Sequence, residues 1–556
     1  MKIWLITGEI AEISLQAILS RFPGIEKIVA PVSVASFISR VTIKKLIDSR
    51  PEMRNGIIVI PGMIRWDIDQ LQDEIDATLI KGPKNLNNLP GFLKILTKII
   101  ESNPRVTREE IIDRIKKEKP SKERMDELYR NIIEERRNIF KNVTTGTATI
   151  QHEENKDFAA LFKRQFRNFL LPGSDLIVGK DFPPVIMAEI INAPEKDRAD
   201  VFTTIEYFLK NGAEIIDIGS TPGKLNPEGV GELIKEIIAK FNCPISVDTL
   251  NEEEIISGVE NGAKVVLSID QGNKEVLNSL STETAVVIIP TNIKKGYLPK
   301  NPEERILIVQ DLISYAQERG FSRIIADPIL NSPIVPGLIP SLEAFIKFSQ
   351  LGIKNPELDL PLFVGGSNVT EMIDTDSTGV NALLGIIGVE LGAGILFTTE
   401  DSVKCLGSVK EMVNARNLAF QGKLKKTFPK DLSFTAFNFK QKQRAVPLFE
   451  IKEEEQDIVD ITLLDCKNGY NKDPSGFFFK IMLDHVSGVI LAGIFDESGM
   501  IKLFKGNNAE LMGKNIIQAF SNLSKDHILY LGRELSRAEI CLKYNSTYIQ
   551  DEHEIT

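Results

Sequence analysis

The stretch from Asn211 to Asp270 decides the fold: it reads NGAEIIDIGSTPG over 211–223, PISVDTL over 244–250 and NGAKVVLSID over 261–270. Each piece carries a short apolar run rich in β-branched residues, and each run ends in Asp or Ser where a strand should give way to a loop. Strands that alternate with helical segments, with polar residues gathered at the strand C-termini, are how a (β/α)8 barrel assembles a site. Working outward from this stretch, the runs VIMAEIIN, AEIIDIG, PISVD, KVVLSID, AVVIIPT, RIIADP, PLFVGGS and GILFTT recur between residues 185 and 418. The segments between them have helical periodicity, as in NPEERILIVQDLISYAQERG at 301–320. Eight such units over roughly 235 residues match the usual size of this barrel, so the sequence predicts a central (β/α)8 TIM barrel within 157–425.

The flanks read differently. Residues 1–141 predict a Rossmann-like α/β domain: KIWLIT turns at Gly8, GIIVIPG stops at Pro61–Gly62, and both runs precede helical patterns. One glycine at the first turn is no dinucleotide fingerprint. The loop LIKGPKNLNNLP, with Lys81 and Lys84, reads either as a solvated loop or as a cationic loop reaching a neighbouring site. Residues 101–141, dense in both charges, predict an exposed helical connector with i,i+4 ion pairs. A polar linker near 142–156 follows. From 430 to 556 a hairpin (GFFFKIMLD, VSGVILAGIFD), a further strand (GMIKLFKG) and two helices predict a C-terminal α+β domain.

Bulk composition narrows the partners. At 556 residues the chain exceeds one core, and 42% hydrophobic with 26% charged residues is ordinary for a soluble globular protein. The net charge of −10 argues against nucleic acid, and no apolar run approaches the roughly 18 residues that cross a bilayer. The opening MKIWLITGEIAE lacks the pattern of a signal peptide. Cys243, Cys405, Cys466 and Cys541 are far apart, so no local zinc or iron–sulfur motif exists and a cytoplasmic protein with reduced thiols is expected. None of the 4 histidines lies between residues 153 and 484. The central chemistry therefore runs without histidine from that segment.

The polar residues at the strand ends suit a flat heterocycle with several N–H donors, because carboxylates accept paired hydrogen bonds. Asp217 sits before Gly219–Gly223, whose glycines allow close backbone approach to a ligand. Asp248 ends S-V-D-T and Asp327 lies in A-D-P. Each aspartate alone could equally cap the following helix. Glu189, inside the first strand, must find a partner or shift its pKa.

These motifs resemble the pterin-binding barrel of dihydropteroate synthase and of the pterin-dependent methyltransferases. The resemblance implies that Asp217, Asp248 and Asp327 are the catalytic set, with the aspartates of S-V-D-T and A-D-P on the pterin ring. It further implies substrate contacts from Glu189, Asn192, Ser220, Thr221, Ser268, Asp270, Ser367 and Asn368, and a Mg²⁺ site at Asn192. Glu189 and Asn192 follow the G-E-x-x-N spacing of the methyltransferases, and Leu267 stands where both branches carry Asn. The synthase's Lys, Arg and His after the sixth, seventh and eighth strands are missing: Asp327-Pro328, Gly366-Ser367-Asn368-Val369 and Thr398-Thr399-Glu400-Asp401 occupy those places. A diphosphate then needs other cations, and Lys81, Lys84, Lys224, Lys294, Lys295 or carboxylate-held Mg²⁺ are the candidates. The run GGSNVTEMIDTDSTGVNALLG, with Glu371, Asp374, Asp376 and Asn381, is similar to an archaeal dihydropteroate synthase-related family. The C-terminal segment resembles an uncharacterised domain that accompanies those relatives. The implied activity is transfer: condensation of a dihydropterin diphosphate with an arylamine, in making a folate- or methanopterin-type coenzyme. The alternatives are a pterin-dependent methyltransferase working with a separate corrinoid protein, and a non-catalytic pterin-binding protein. A homodimer is compatible with each.

Overall fold

The computed structural model describes residues 2–64, 66–84, 86–118, 122–145, 162, 164–436, 475–544 and 546–551. Cys466, His152, His553 and most of the linker near 142–156 lie outside them. The chain divides into two compact units, Met1–Asn138 with Asn417–Thr435, and Ile139–Arg416 with Ala436–Thr556. Among the described residues no helix is long and apolar enough to cross a membrane.

In the first unit, β1 (Ile3–Thr7), β2 (Ile25–Val29), β3 (Ile57–Ile60) and β4 (Thr78–Lys81) form a parallel sheet in the order β2-β1-β3-β4. Alternation along β1 sends Ile3 and Leu5 to one apolar layer and Trp4 and Ile6 to the other, so both faces are covered, as a parallel sheet requires. The charged connector forms helices Arg108–Glu118 and Lys122–Thr145. It carries the expected pairs Lys117–Asp113 (2.6 Å) and Arg130–Asp126 (2.9 Å). It is not merely exposed, however: Ile111 and Ile115 recur at i,i+4 and pack into the sheet's core. Lys81 donates to the Ile64 carbonyl and Lys84 pairs with Asp431, so both lysines are engaged within their own unit.

The second unit opens with a hairpin of β5 (Asn168–Leu170) and β6 (Ile177–Gly179). The barrel follows: β7 (Val185–Ile190), β8 (Ile215–Gly219), β9 (Ile245–Asp248), β10 (Val265–Ile269), β11 (Ala285–Ile288), β12 (Ile324–Ala326), β13 (Leu362–Gly365) and β14 (Ala393–Thr399). All eight are parallel and the ring closes through β14 against β7. All eight strands named from the sequence are present. Outward side chains such as Ile186, Ala188, Ile216, Ile218 and Val247 pack against the helices. Inward ones, Val185, Met187, Ile215, Val265, Val287, Ile325, Phe363 and Ile395, fill the barrel together with Phe169, Leu171 and Val178 near the β5–β6 hairpin. That hairpin is tied to the barrel by Asp359, which accepts from Lys180 (2.9 Å), Arg164 (2.7 Å) and Arg167 (2.9 Å). Burial would raise the Asp359 pKa, but these three cations hold it below the usual range.

The last segment is an antiparallel meander of β15 (Phe478–Asp484), β16 (Val489–Asp496) and β17 (Gly499–Gly506). Helices Ala509–Ala519 and Lys525–Tyr544 pack on one of its faces.

Candidate active site at the barrel mouth

Period-two alternation carries the site. The inward positions that begin apolar, Met187 on β7 and Ile215 on β8, continue two residues later as Glu189 and Asp217, and the pattern on β9 runs from Ser246 to Asp248. Register completes the arrangement, pairing Glu189 with Asp217, Asp217 with Ser246, and Gly219 with Asp248. The result is a cluster at the C-terminal end of three adjacent strands, with one oxygen from each of Glu189, Asp217 and Asp248 within 4.8 Å of the others. Gly219 makes room for it: a Cβ there would stand 2.8 Å from Glu189 Oε1.

Burial raises the pKa of all three carboxylates, and the neighbouring charges add to it. Burial, followed by the charges of Asp248 and Glu189, holds Asp217 well above the carboxylate range, against the opposing donation of the Ser246 hydroxyl to its Oδ1. Burial and then Glu189 push Asp248 to about 8. Glu189 rises to about 7 through burial and the Asp401 charge, with Lys196 opposing. The side chain of Asp217 is fully buried, and its Oδ2 has no hydrogen-bond donor. The alternative that these aspartates cap helices fails for Asp217 and Asp248. The helices Pro227–Lys240 and Glu252–Glu260 are capped instead by Asn226, accepting from Gly229, and Asn251, accepting from Glu253 and Glu254.

Above the cluster opens a cavity of about 870 Å³. Its walls include Glu189, Asp248, the Gly219–Leu225 loop and the start of the Glu252–Glu260 helix. The hydroxyls of Ser220 and Thr221 are buried there without a partner, as is Asn192 Oδ1 on its own loop. Asn192 adopts φ 52, the left-handed conformation that Asn tolerates. Lys224 and Lys294 also line the cavity; Lys224 pairs with Glu195, and Lys294 with Glu252 at 2.7 Å. Lys295 does not line the cavity; its backbone N–H donates to the Asn292 side chain. Glu254, also on the wall, is consumed by the Asn226 N–H (2.9 Å) and the Thr249 hydroxyl (2.6 Å).

The other residues singled out from the sequence are not part of this cavity wall. Asp327 is buried, accepts the Ile329 N–H at 2.7 Å, and is pushed by burial to about 7, with that N–H and Arg305 opposing. Arg305, 1% exposed on the Pro302–Glu318 helix, donates to the carbonyls of Pro299, Pro328 and Ile329. Its Nη2 is buried without an acceptor. This cation beside Asp327 was invisible in the sequence, because it arrives from the preceding helix and not from the strand-end loop. Asp270 has both oxygens occupied by Gly272, Asn273, Ile293 and the Thr291 hydroxyl, which fills the capacity of a carboxylate. The register of β10 shifts between Leu267 and Ile269, and Ser268, at that shift, is buried. Ser367 is buried at the start of a short helix, and Asn368 donates to the Leu330 carbonyl. Asn381 joins Ser377 and Thr378 around Glu411, in contacts between outer helices. Glu371 accepts from the Ser402 N–H, and Asp374 and Asp376 are exposed.

Residues 193–379 match the family model described as pterin binding enzyme, and residues 472–551 match PterinBD-DUF4346. An uncharacterized protein of Methanocaldococcus jannaschii, MJ0107, is 30% identical over 570 residues, spanning 99% of this chain and 98% of that one. The chain belongs to the pterin-binding barrel superfamily. Solved structures similar to this pterin-binding barrel include the Yersinia pestis dihydropteroate synthase in a sulfonamide drug complex. It is 17% identical with a TM-score of 0.37, over 46% of this chain and 99% of that one. The Xanthomonas albilineans dihydropteroate synthase in complex with 7,8-dihydropteroate is 19% identical with a TM-score of 0.35, over 46% and 98%.

Proposed function

We propose that the cavity over Glu189, Asp217 and Asp248 binds a pterin and that the protein is a transferase of the dihydropteroate synthase type. The observation that carries this is the pair of carboxylates, Glu189 and Asp248, that face the inner end of the cavity in a superfamily barrel. Such acceptors call for a ligand with adjacent N–H donors, and a pterin presents a 2-amino group and a ring N–H side by side. In the condensation, the arylamine nitrogen bonds to the hydroxymethyl carbon of the dihydropterin. The C–O bond to diphosphate breaks, and the proton of the new ammonium passes to a base. The Ser220 and Thr221 hydroxyls, Lys224 and Lys294 are the groups of this cavity suited to the anionic tail. Asn192, the residue on which the resemblance places Mg²⁺, keeps an unpartnered side-chain oxygen but is not on the wall of this cavity.

A second reading, methyl transfer from a methylated pterin to a corrinoid partner, is favoured by one observation: Glu189 lines the cavity, where departure of methyl from a ring nitrogen calls for an acid. Titration calorimetry with a 7,8-dihydropterin, its hydroxymethyl diphosphate and an N5-methyl tetrahydropterin, all with Mg²⁺ present, separates the two. Binding of the first two supports condensation. Binding of the methylated pterin alone transfers the assignment to methyl transfer, and binding of none refutes the pterin site.

A further inference from the structure

We propose that Glu189, Asp217 and Asp248 together hold one divalent cation of the hard, oxygen-binding class, Mg²⁺ or Mn²⁺, at the inner end of the cavity. The three side chains come from consecutive strands, and the oxygens they present lie within 4.8 Å of one another. Around Mg²⁺, oxygens on opposite sides stand about 4.2 Å apart and adjacent ones about 3 Å. Side-chain shifts of about an ångström therefore close the shell, and Glu189 and Asp248, only half-buried, are free to make them. The independent sign of a ligand is Asp217: its side chain is 0% exposed, and the oxygen beyond the Ser246 hydrogen bond is buried with no donor. A carboxylate built to rest against its neighbours would find a donor on both oxygens.

The donor set is entirely oxygen, and among the described residues neither His nor Cys lines the cavity, which selects Mg²⁺ or Mn²⁺ over zinc or iron. Each carboxylate keeps a second oxygen, so those of Asp248 and Glu189 remain available to a ring above. The cation would also offset a wall on which Glu189, Asp248, Glu252 and Glu253 outnumber Lys224 and Lys294. Its use as counter-charge for a diphosphate rests on the condensation reading; binding of the metal does not.

The test uses the full chain, stripped with chelator and titrated with Mn²⁺ alone, the free ion being read by electron paramagnetic resonance. One site per chain is expected, displaced by Mg²⁺. Asp217→Asn and Glu189→Gln should each weaken it at least tenfold, and Glu253→Gln, which neutralises an exposed acid of the same wall, should leave it unchanged. If Asp217→Asn fails to fold by circular dichroism, Glu189→Gln carries the test. The proposal is overturned by a parent that binds no Mn²⁺ at millimolar concentration, by cluster variants that bind like the parent, or by an equal loss in Glu253→Gln. No pterin is present, so either result leaves the pterin assignment to its own calorimetry.

Discussion

Replacing Asp327 by Asn removes one ionisable group and keeps its local hydrogen bond, because the amide oxygen still accepts the Ile329 N–H. In the parent, burial holds this carboxyl at about 7, whereas an aspartate in an unfolded chain titrates near 3.9. The folded state therefore keeps a proton that the unfolded state has lost throughout that interval. The sign follows: the contribution is complete below about pH 4 and is lost as pH rises toward 7. At 1.36 kcal/mol per pH unit, the loss is on the order of 4 kcal/mol over the whole window and about 2–3 kcal/mol between pH 5 and 7. Asp327 is 8% exposed, so solvent screening removes little of it. The assay must report on the barrel itself. Trp4 and Trp66, the 2 tryptophans, both lie in the first unit, so tryptophan emission reports on the wrong part of the chain. Hydrogen exchange of the amides of β11 and β12, corrected for intrinsic rates, gives the opening free energy from pH 5 to 8. The parent should lose stability relative to Asp327→Asn as pH rises, and the difference between them isolates this residue from the other carboxyls. A difference that stays constant over the range would mean that Arg305 keeps Asp327 ionised throughout, and the reasoning from burial would be refuted.

Three further outcomes are expected. Asp248→Asn should weaken dihydropterin binding in titration calorimetry by about tenfold or more, since the ring's N–H donors draw the carboxyl, held at about 8 in the empty site, to its ionised accepting form, and an amide cannot follow; parental affinity in a folded variant would dismiss Asp248 from the pocket. Gly219→Ala should displace the Glu189 carboxylate, whose Oε1 would stand 2.8 Å from the new Cβ, and so weaken ligand binding; unaltered affinity would show that Glu189 is not needed where it stands. Asp359→Asn leaves the buried Lys180 and its neighbour Arg167 without their shared anion, and should destabilise the barrel by about 3–5 kcal/mol, measured by exchange in β6 and β14.

What the sequence determined by itself was everything that depends on short-range periodicity. Apolar runs of strand length separated by helical segments specify eight βα units, and parallel strands joined by helices have few ways to close other than a barrel. The same period of two places Glu189, Asp217 and Asp248 on inward faces at one end, so a polar mouth was legible in the runs themselves. The connector's i,i+4 ion pairs were legible too, whereas packing against the sheet decided that the Ile111 and Ile115 stripe beneath them is buried.

Register and packing decided the rest. Asp270 follows an apolar run just as Asp248 ends one, yet the register shift on β10 goes with a carboxylate held by four donors, two from its own loop and two from the loop after β11. Asp217 and Asp248 could have been helix caps until Asn226 and Asn251 took that role. Arg305 stands 22 residues before Asp327, and only the packing of its helix over β12 brings a guanidinium to that carboxyl. Local pattern determines which face a side chain takes, because that depends on two residues of backbone. Whether a charge at the mouth meets another charge, a donor or open space depends on neighbouring strands and helices, and only the closed barrel decides it.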